Sequence, residues 1–251
     1  MKLEVEIAVD SLGGCEAAAT GGAHGVELGS ALEVGGLTPS SGLVELACER
    51  SRLPVVVLVR PRAGDFVADR MEFETMALDV ARAKQSGAAG VAIGLLRADG
   101  SIDREGTAEL IDRARPMRVT FHRAFDFARD PYRALDALLE LGVDRVLSSG
   151  AAADAASGLE LLAELVERAG DSLRVVPAGG IRPQNVGALL RRTGAREIHA
   201  SARALFRTAW NGPEVAVRLE SSVLDTHAQR ARTDVQVVRD LVGGCSAERS
   251  S

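Results

Sequence analysis

The chain has 251 residues, 46% of them hydrophobic, and a formal net charge of −5. That is enough apolar content for a full core, and it leaves no basic footprint for nucleic acid or an anionic membrane surface. No apolar run reaches the ~18 residues of a spanning helix, and the charged start Met1-Lys2-Leu3-Glu4-Val5-Glu6 lacks a secretion signal's apolar stretch, so a cytoplasmic protein is expected.

Taken in order, the strand-forming runs fall near 3–9, 26–28, 55–59, 90–93, 118–121, 144–147, 173–176 and 197–199. Helical runs lie between them, near 11–20, 41–49, 72–85, 104–114, 131–140, 153–168 and 183–192. One pattern punctuates this rhythm four times: a glycine, Ala or Val, two variable positions, then Val or Ile. It begins at Gly22, Gly87, Gly142 and Gly194. The glycine sits where a helix needs a left-handed C-cap, and the β-branched residue opens the next strand. Each of the three intervals between them holds two strand-helix units, and four such quarters make eight. Strands alternating with helices imply right-handed crossovers and a parallel sheet. Eight such units in about 250 residues predict a single-domain (β/α)8 TIM barrel over residues 1–251. An open doubly wound sheet is the competitor, but no glycine-rich dinucleotide turn follows the first strand. Residues 203–230 read as an irregular excursion, Thr233-Asp234 as the cap of a last helix over 235–242, and 246–251 as a frayed tail.

In such a barrel ligands bind at the C-terminal ends of the strands. The most telling end is Val119-Thr120-Phe121-His122-Arg123-Ala124-Phe125-Asp126, where an apolar run stops in three groups able to move protons or bind anions. His122 is a candidate general base, general acid or metal ligand, with Asp126 or Glu27 as its partner and His199 approaching across the mouth. A hydrogen-bonded structural histidine is the plainer reading. Glu6 and Glu27 lie within apolar strands, so each must face a ligand cavity or a buried arginine, with Arg60 or Arg123 the candidate partners.

Arg60-Pro61-Arg62 presents guanidinium forks suited to a carboxylate or phosphate, although Arg62 and Asp65 could equally close their loop as an ion pair. The segment 33–42 is rich in glycine and hydroxyls, as a lid would be, or simply a long turn with Ser40 or Ser41 capping the next helix. Small turns at Ser148-Ser149-Gly150, Ala178-Gly179-Gly180 and Ala200-Ser201-Ala202 suit phosphate binding by backbone N–H groups. Cys15, Cys48 and Cys245 form no C-x-x-C pair, which argues against a disulfide framework or a cysteine-only metal knuckle. Lys2 and Lys84, the only lysines, are expected outside the barrel, which disfavours Schiff-base chemistry.

Together these segments resemble the CutC family, named for copper homeostasis. The likeness is carried by Gly25-Val26-Glu27-Leu28, Gly35-Gly36-Leu37-Thr38-Pro39-Ser40, Arg60-Pro61-Arg62, Thr120–Asp126, Leu147-Ser148-Ser149-Gly150, Ala178-Gly179-Gly180-Ile181 and His199-Ala200-Ser201-Ala202. It implies a TIM barrel, a cytoplasmic homo-oligomer and copper binding. Many relatives carry cysteines just after the strand-one glutamate and after V-E-L, where this chain has Ala8-Val9 and Gly29. Copper binding through those positions is therefore not carried over, whereas the carboxylates, arginines and histidines are intact. Two functions follow as expectations: handling of a copper ion, or a barrel enzyme acting on a small anionic, possibly phosphorylated metabolite. The candidate site comprises Glu6, Glu27, Arg60, Arg62, Asp65, His122, Arg123, Asp126, Ser149, Gly179, Gly180, His199 and Ser201.

Overall fold

A computed structural model describes residues 3–209, 212 and 229–247. Eight parallel strands form its centre: β1 (Glu4–Val9), β2 (Gly25–Leu28), β3 (Val55–Leu58), β4 (Gly90–Ile93), β5 (Arg118–Phe121), β6 (Arg145–Ser148), β7 (Arg174–Pro177) and β8 (Glu197–Ala200). Neighbours in sequence are neighbours in the sheet, β8 returns to pair with β1, and a parallel bridge between Ala178 and His199 joins the last two strands. The ring is a (β/α)8 barrel.

Seven helices follow the first seven strands: α1 (Leu12–Gly21), α2 (Ser41–Arg50), α3 (Arg70–Gln85), α4 (Arg104–Ala114), α5 (Pro131–Glu140), α6 (Leu159–Ala169) and α7 (Val186–Thr193). Their starts are fixed by side chains. Ser11, Ser40, Asp69, Asp103 and Asp130 each accept a backbone N–H of the first turn, and Asp69 with Glu72 completes a reciprocal capping box. All four repeat glycines, Gly22, Gly87, Gly142 and Gly194, have φ between +67° and +89°, the left-handed conformation that the pattern predicts. α6 starts later than its helical pattern, because Gly158 lies against the Ser149 carbonyl, where a Cβ would come within 2.0 Å. The segment before it is therefore a turn.

Within the excursion after β8, β9 (Arg203–Arg207) pairs antiparallel with β10 (Gln229–Thr233). From there α8 (Val235–Ala247) packs against α1 and α7 and completes the outer ring. It runs five residues beyond the expected 235–242, so the first part of the expected tail is helical; 248–251 and most of 210–228 lie outside the described residues.

Strand residues alternate. Val5, Ile7, Val9, Val26, Leu28, Val55, Val57, Val91, Ile93, Val119 and Phe121 are buried in the layer shared with the helices, each such aliphatic burial contributing roughly 1.5–3 kcal/mol. The inward set is different. Two small apolar clusters, Val56–Leu58–Ala92 and Leu147–Val176–Ala178, flank a charged centre.

That centre is Arg145. It donates from Nε to Thr120 Oγ1 at 3.0 Å, from Nη1 to Glu197, and from Nη2 to both oxygens of Glu6 at 2.9 and 2.7 Å. Arg174 bridges Glu197 and Glu4, both at 3.1 Å, at the N-terminal end. The expected partnership of Glu6 with Arg60 or Arg123 is thus replaced by one with Arg145, whose inward position on β6 puts it across the barrel. Burial raises the Glu6 carboxyl, but Arg145 and His199 outweigh it and bring it down to about 2.

Arg145→Ala would remove the two-oxygen partner of buried Glu6 and one of the two arginines on Glu197, and is expected to cost roughly 3–5 kcal/mol in urea unfolding; a loss within error of zero would contradict this account. Because the folded pKa of Glu6 lies below its ordinary value, its contribution is present above pH 4.5 and disappears as pH falls towards 2.

Candidate functional site

A cavity of about 950 Å³ opens at the C-terminal ends of the strands. Of the residues expected there, Glu27, Arg60, His122, Arg123, Gly179, Gly180, His199 and Ser201 line it. Glu6 lies one layer deeper, bonded to His199. The remaining four are placed elsewhere, for identifiable reasons.

Arg62 turns outward. It pairs with Glu72 on α3 and with Asp65 at 3.0 Å, and it donates to the Val67 carbonyl. It therefore closes the loop after β3, the structural alternative, and neither Arg62 nor Asp65 lines the cavity. Asp126 does not partner His122. Its carboxylate accepts from the Ser148 hydroxyl at 2.7 Å, from the Ser149 N–H and hydroxyl, and from Arg123 Nε at 2.9 Å. It ties the turn after β5 to the turn after β6, and Ser149 belongs to that tie. The glycine-rich 33–42 segment is pinned rather than free: Ser30 and Leu37 exchange backbone bonds, Thr38 holds Arg60 N–H, and Ser40 caps α2.

The acidic wall of the cavity is built on β8, β1 and β2. His199 Nδ1 lies 3.0 Å from Glu6 Oε1, and its Nε2 lies 3.8 Å from Glu27 Oε1. Glu6 is already saturated by Arg145, so it orients the imidazole and leaves Nε2 towards Glu27. Glu27 Oε2 is buried with no hydrogen-bond partner. Burial raises the Glu27 carboxyl above its ordinary value, only partly offset by His199. Burial lowers His199, but Glu27 and Glu6 more than compensate, and it sits above the usual histidine range. Glu6, Glu27 and His199 offer ligand atoms within 4.8 Å of one another, as a cation site would require.

The opposite wall carries His122 and Arg60. His122 follows β5, four strands round the ring from β1. Its Nδ1 accepts the Ala124 N–H at 3.1 Å, so the neutral ring carries its proton on Nε2, which is buried and unpartnered. Gly94 makes room for the ring, since a Cβ there would meet it at 2.3 Å. Burial, then the nearby Arg60 cation, drives His122 down to about 3. The ring is therefore neutral, and what it offers the cavity is the Nε2–H. Arg60 donates to the carbonyls of Val34, Gly36 and Gly64, each at 3.0 Å, and lies 4.9 Å over the Phe66 ring. Phe66 in turn packs on His122 with centroids 5.3 Å apart.

The sequence reading missed Arg145 and Glu197, the charges beneath the mouth, and Phe66, whose ring touches both Arg60 and His122. A signal for the first two exists: each is a charged residue at an inward-parity position of an otherwise apolar strand. Lys84 lies on α3 and donates to backbone carbonyls near the end of α4, outside the barrel. The three cysteines lie on outer helices, and none lines the cavity.

The comparisons agree with this architecture. The sequence model of the CutC family matches residues 3–204. The chain belongs to the CutC family. It is 43% identical over 238 residues to a family protein CutC of Xanthomonas campestris pv. campestris, covering 95% of this chain and 97% of that one. It is 40% identical over 237 residues to the Homo sapiens copper homeostasis protein cutC homolog, covering 94% and 87%. A CutC crystal structure from Streptococcus agalactiae superposes with a TM-score of 0.76 at 27% identity, over 79% of this chain and 98% of that one. Phosphoribosylanthranilate isomerase from Pyrococcus furiosus, at 15% identity and a TM-score of 0.59 over 98% and 99% of the two chains, shares the barrel alone. No helix among the described residues is long and apolar enough to cross a membrane.

The tautomer assignment is testable. Nitrogen-detected NMR should find His122 neutral and protonated on Nε2 at pH 5; a positively charged ring at that pH would contradict the environment described.

Proposed function

We propose that this chain takes part in copper homeostasis, the role for which its human relative is named, and that it takes the ion as copper(II) at His199 and Glu27. One observation carries the reading. His199 has one ring nitrogen fixed by a carboxylate and the other turned towards a second carboxylate whose Oε2 has no partner. Metal-ligating histidines characteristically have their other ring nitrogen anchored in this way.

Imidazole nitrogen and carboxylate oxygen suit copper(II), whereas copper(I) prefers thiolates. The cysteines do not fit the reduced ion. Burial pushes the Cys15 and Cys245 thiols up to about 11 and raises Cys48 as well, which opposes the thiolate that a metal needs. Glu27 and His199 would hold the ion, and Glu6 would orient His199 through Nδ1. The homo-oligomer that the family resemblance implies belongs to the same proposal, and native mass spectrometry reports subunit number and bound metal together.

His199→Ala and Glu27→Gln are each expected to weaken copper(II) binding by at least about tenfold, as loss of a coordinating or orienting group does, with Cys48→Ala unchanged. Both ligand groups hold their protons above the ordinary range, so protons compete with the ion and affinity should fall from about pH 8 to pH 6. Copper held only as copper(I), lost in cysteine variants and indifferent to His199→Ala, would overturn the proposal.

A further inference from the structure

The guanidinium wall of the cavity has no counterpart in the copper reading. Arg60 is buried, yet among the described residues no carboxylate pairs with it; its arms rest on the carbonyls of Val34, Gly36 and Gly64 and on the face of Phe66. Carbonyl dipoles satisfy hydrogen bonds but leave the unit charge uncompensated. Among the described residues its Nε–H has no acceptor. Phe66 also touches His122, whose Nε2–H is likewise buried without an acceptor among the described residues.

Two orphaned donors, one of them cationic, thus lie in a single cavity wall. Unmade hydrogen bonds of buried groups cost free energy, so a fold that keeps two together is poised for an acceptor it does not itself supply. Arg123 extends the same character to the rim. Its Nε and Nη2 are held by Asp126 and Ser149, while Nη1 packs on Gly179, where φ is +90° and a Cβ would come within 3.1 Å. The lining also includes Arg182 and Arg203. Three non-glycine residues with positive φ, Ala31, Ala151 and Ala202, all lie in the turns at this end of the barrel, where backbone strain accompanies ligand sites.

We infer that this wall is a binding site for a small organic oxyanion, a carboxylate or a phosphate monoester, which accepts from Arg60 Nε–H and His122 Nε2–H together. The neutral ring matters: an imidazole protonated only on Nε2 donates to the anion without a second cation repelling Arg60. Glu27 and His199 face the ligand from the opposite side, so the acidic wall excludes a second anionic group there and favours a hydroxyl or other donor. The bound molecule is therefore anionic at one end and hydrogen-bond-donating at the other. Arg62, spent on Glu72 and Asp65, takes no part.

The test uses the full chain stripped of metal by chelation, which separates it from the copper reading. Inorganic phosphate and glycolate are titrated in turn while the Arg60 Nε and His122 Nε2 resonances are followed. Both signals are expected to shift together and to saturate. Response to phosphate alone assigns a phosphoryl group, to glycolate alone a carboxylate, and either supports the site. Arg60→Gln and His122→Ala should each weaken binding about tenfold or more, the factor for one charge-assisted hydrogen bond, with Arg62→Gln unchanged. If neither probe moves either resonance in the wild-type chain, the inference fails, whatever the variants do. Binding that Arg60→Gln and His122→Ala, folded by circular dichroism, leave intact also overturns it.

Discussion

Arg145 is the constraint on which the rest of this molecule depends. A guanidinium in the middle of a barrel is costly to bury unless acceptors and opposite charge surround it. Glu6, Glu197 and Thr120 provide them from three different strands. The consequence runs upwards. Glu6, held by Arg145, has one orientation; His199, held by Glu6, has one ring placement; Glu27 is left facing the second ring nitrogen with a free oxygen. The buried charges that make the interior unusual also make the mouth rigid, because each layer fixes the one above it.

Two walls of opposite character share the resulting cavity. One collects carboxylates around a proton-holding imidazole, the other a guanidinium beside an imidazole kept neutral. The same side-chain type behaves differently on the two sides because its neighbours differ in sign: His199 is raised by Glu27 and Glu6, while His122 is lowered by burial and Arg60. A chain with an overall negative charge can therefore present a locally cationic face to a ligand. Family membership accounts for the barrel, and the chemistry is read from the site itself.

Much of the fold was legible because it is written in local rules. The glycines at Gly22, Gly87, Gly142 and Gly194 mark helix ends by a conformation that other residues avoid, and the apolar runs between them are strands of the right length. The family resemblance drawn from Thr120–Asp126 and its companion segments holds. What local rules do not contain is the partner across the ring. Arg145 stands in a run that reads simply as the start of a strand, and only closure of the barrel brings it to Glu6. The same limit explains the misplaced roles of Asp126 and Arg62: both sit close in sequence to His122 and Arg60, but strand parity and the turn geometry aim them at Ser149 and Glu72. The excursion after β8 carried no periodic signal because its described part is a two-stranded ribbon whose halves are far apart in the chain.

The central claim is that Arg145, through Glu6, holds His199 so that Nε2 and Glu27 form one open pair of ligand atoms. A crystal structure of copper(II)-soaked protein, with the metal located by its anomalous scattering, tests it most directly. The expected result is a single strong peak bonded to His199 Nε2 and a Glu27 oxygen, with Glu6 still on Arg145. A peak at the cysteines of the outer helices, or an empty His199–Glu27 pair with copper bound elsewhere, would contradict it.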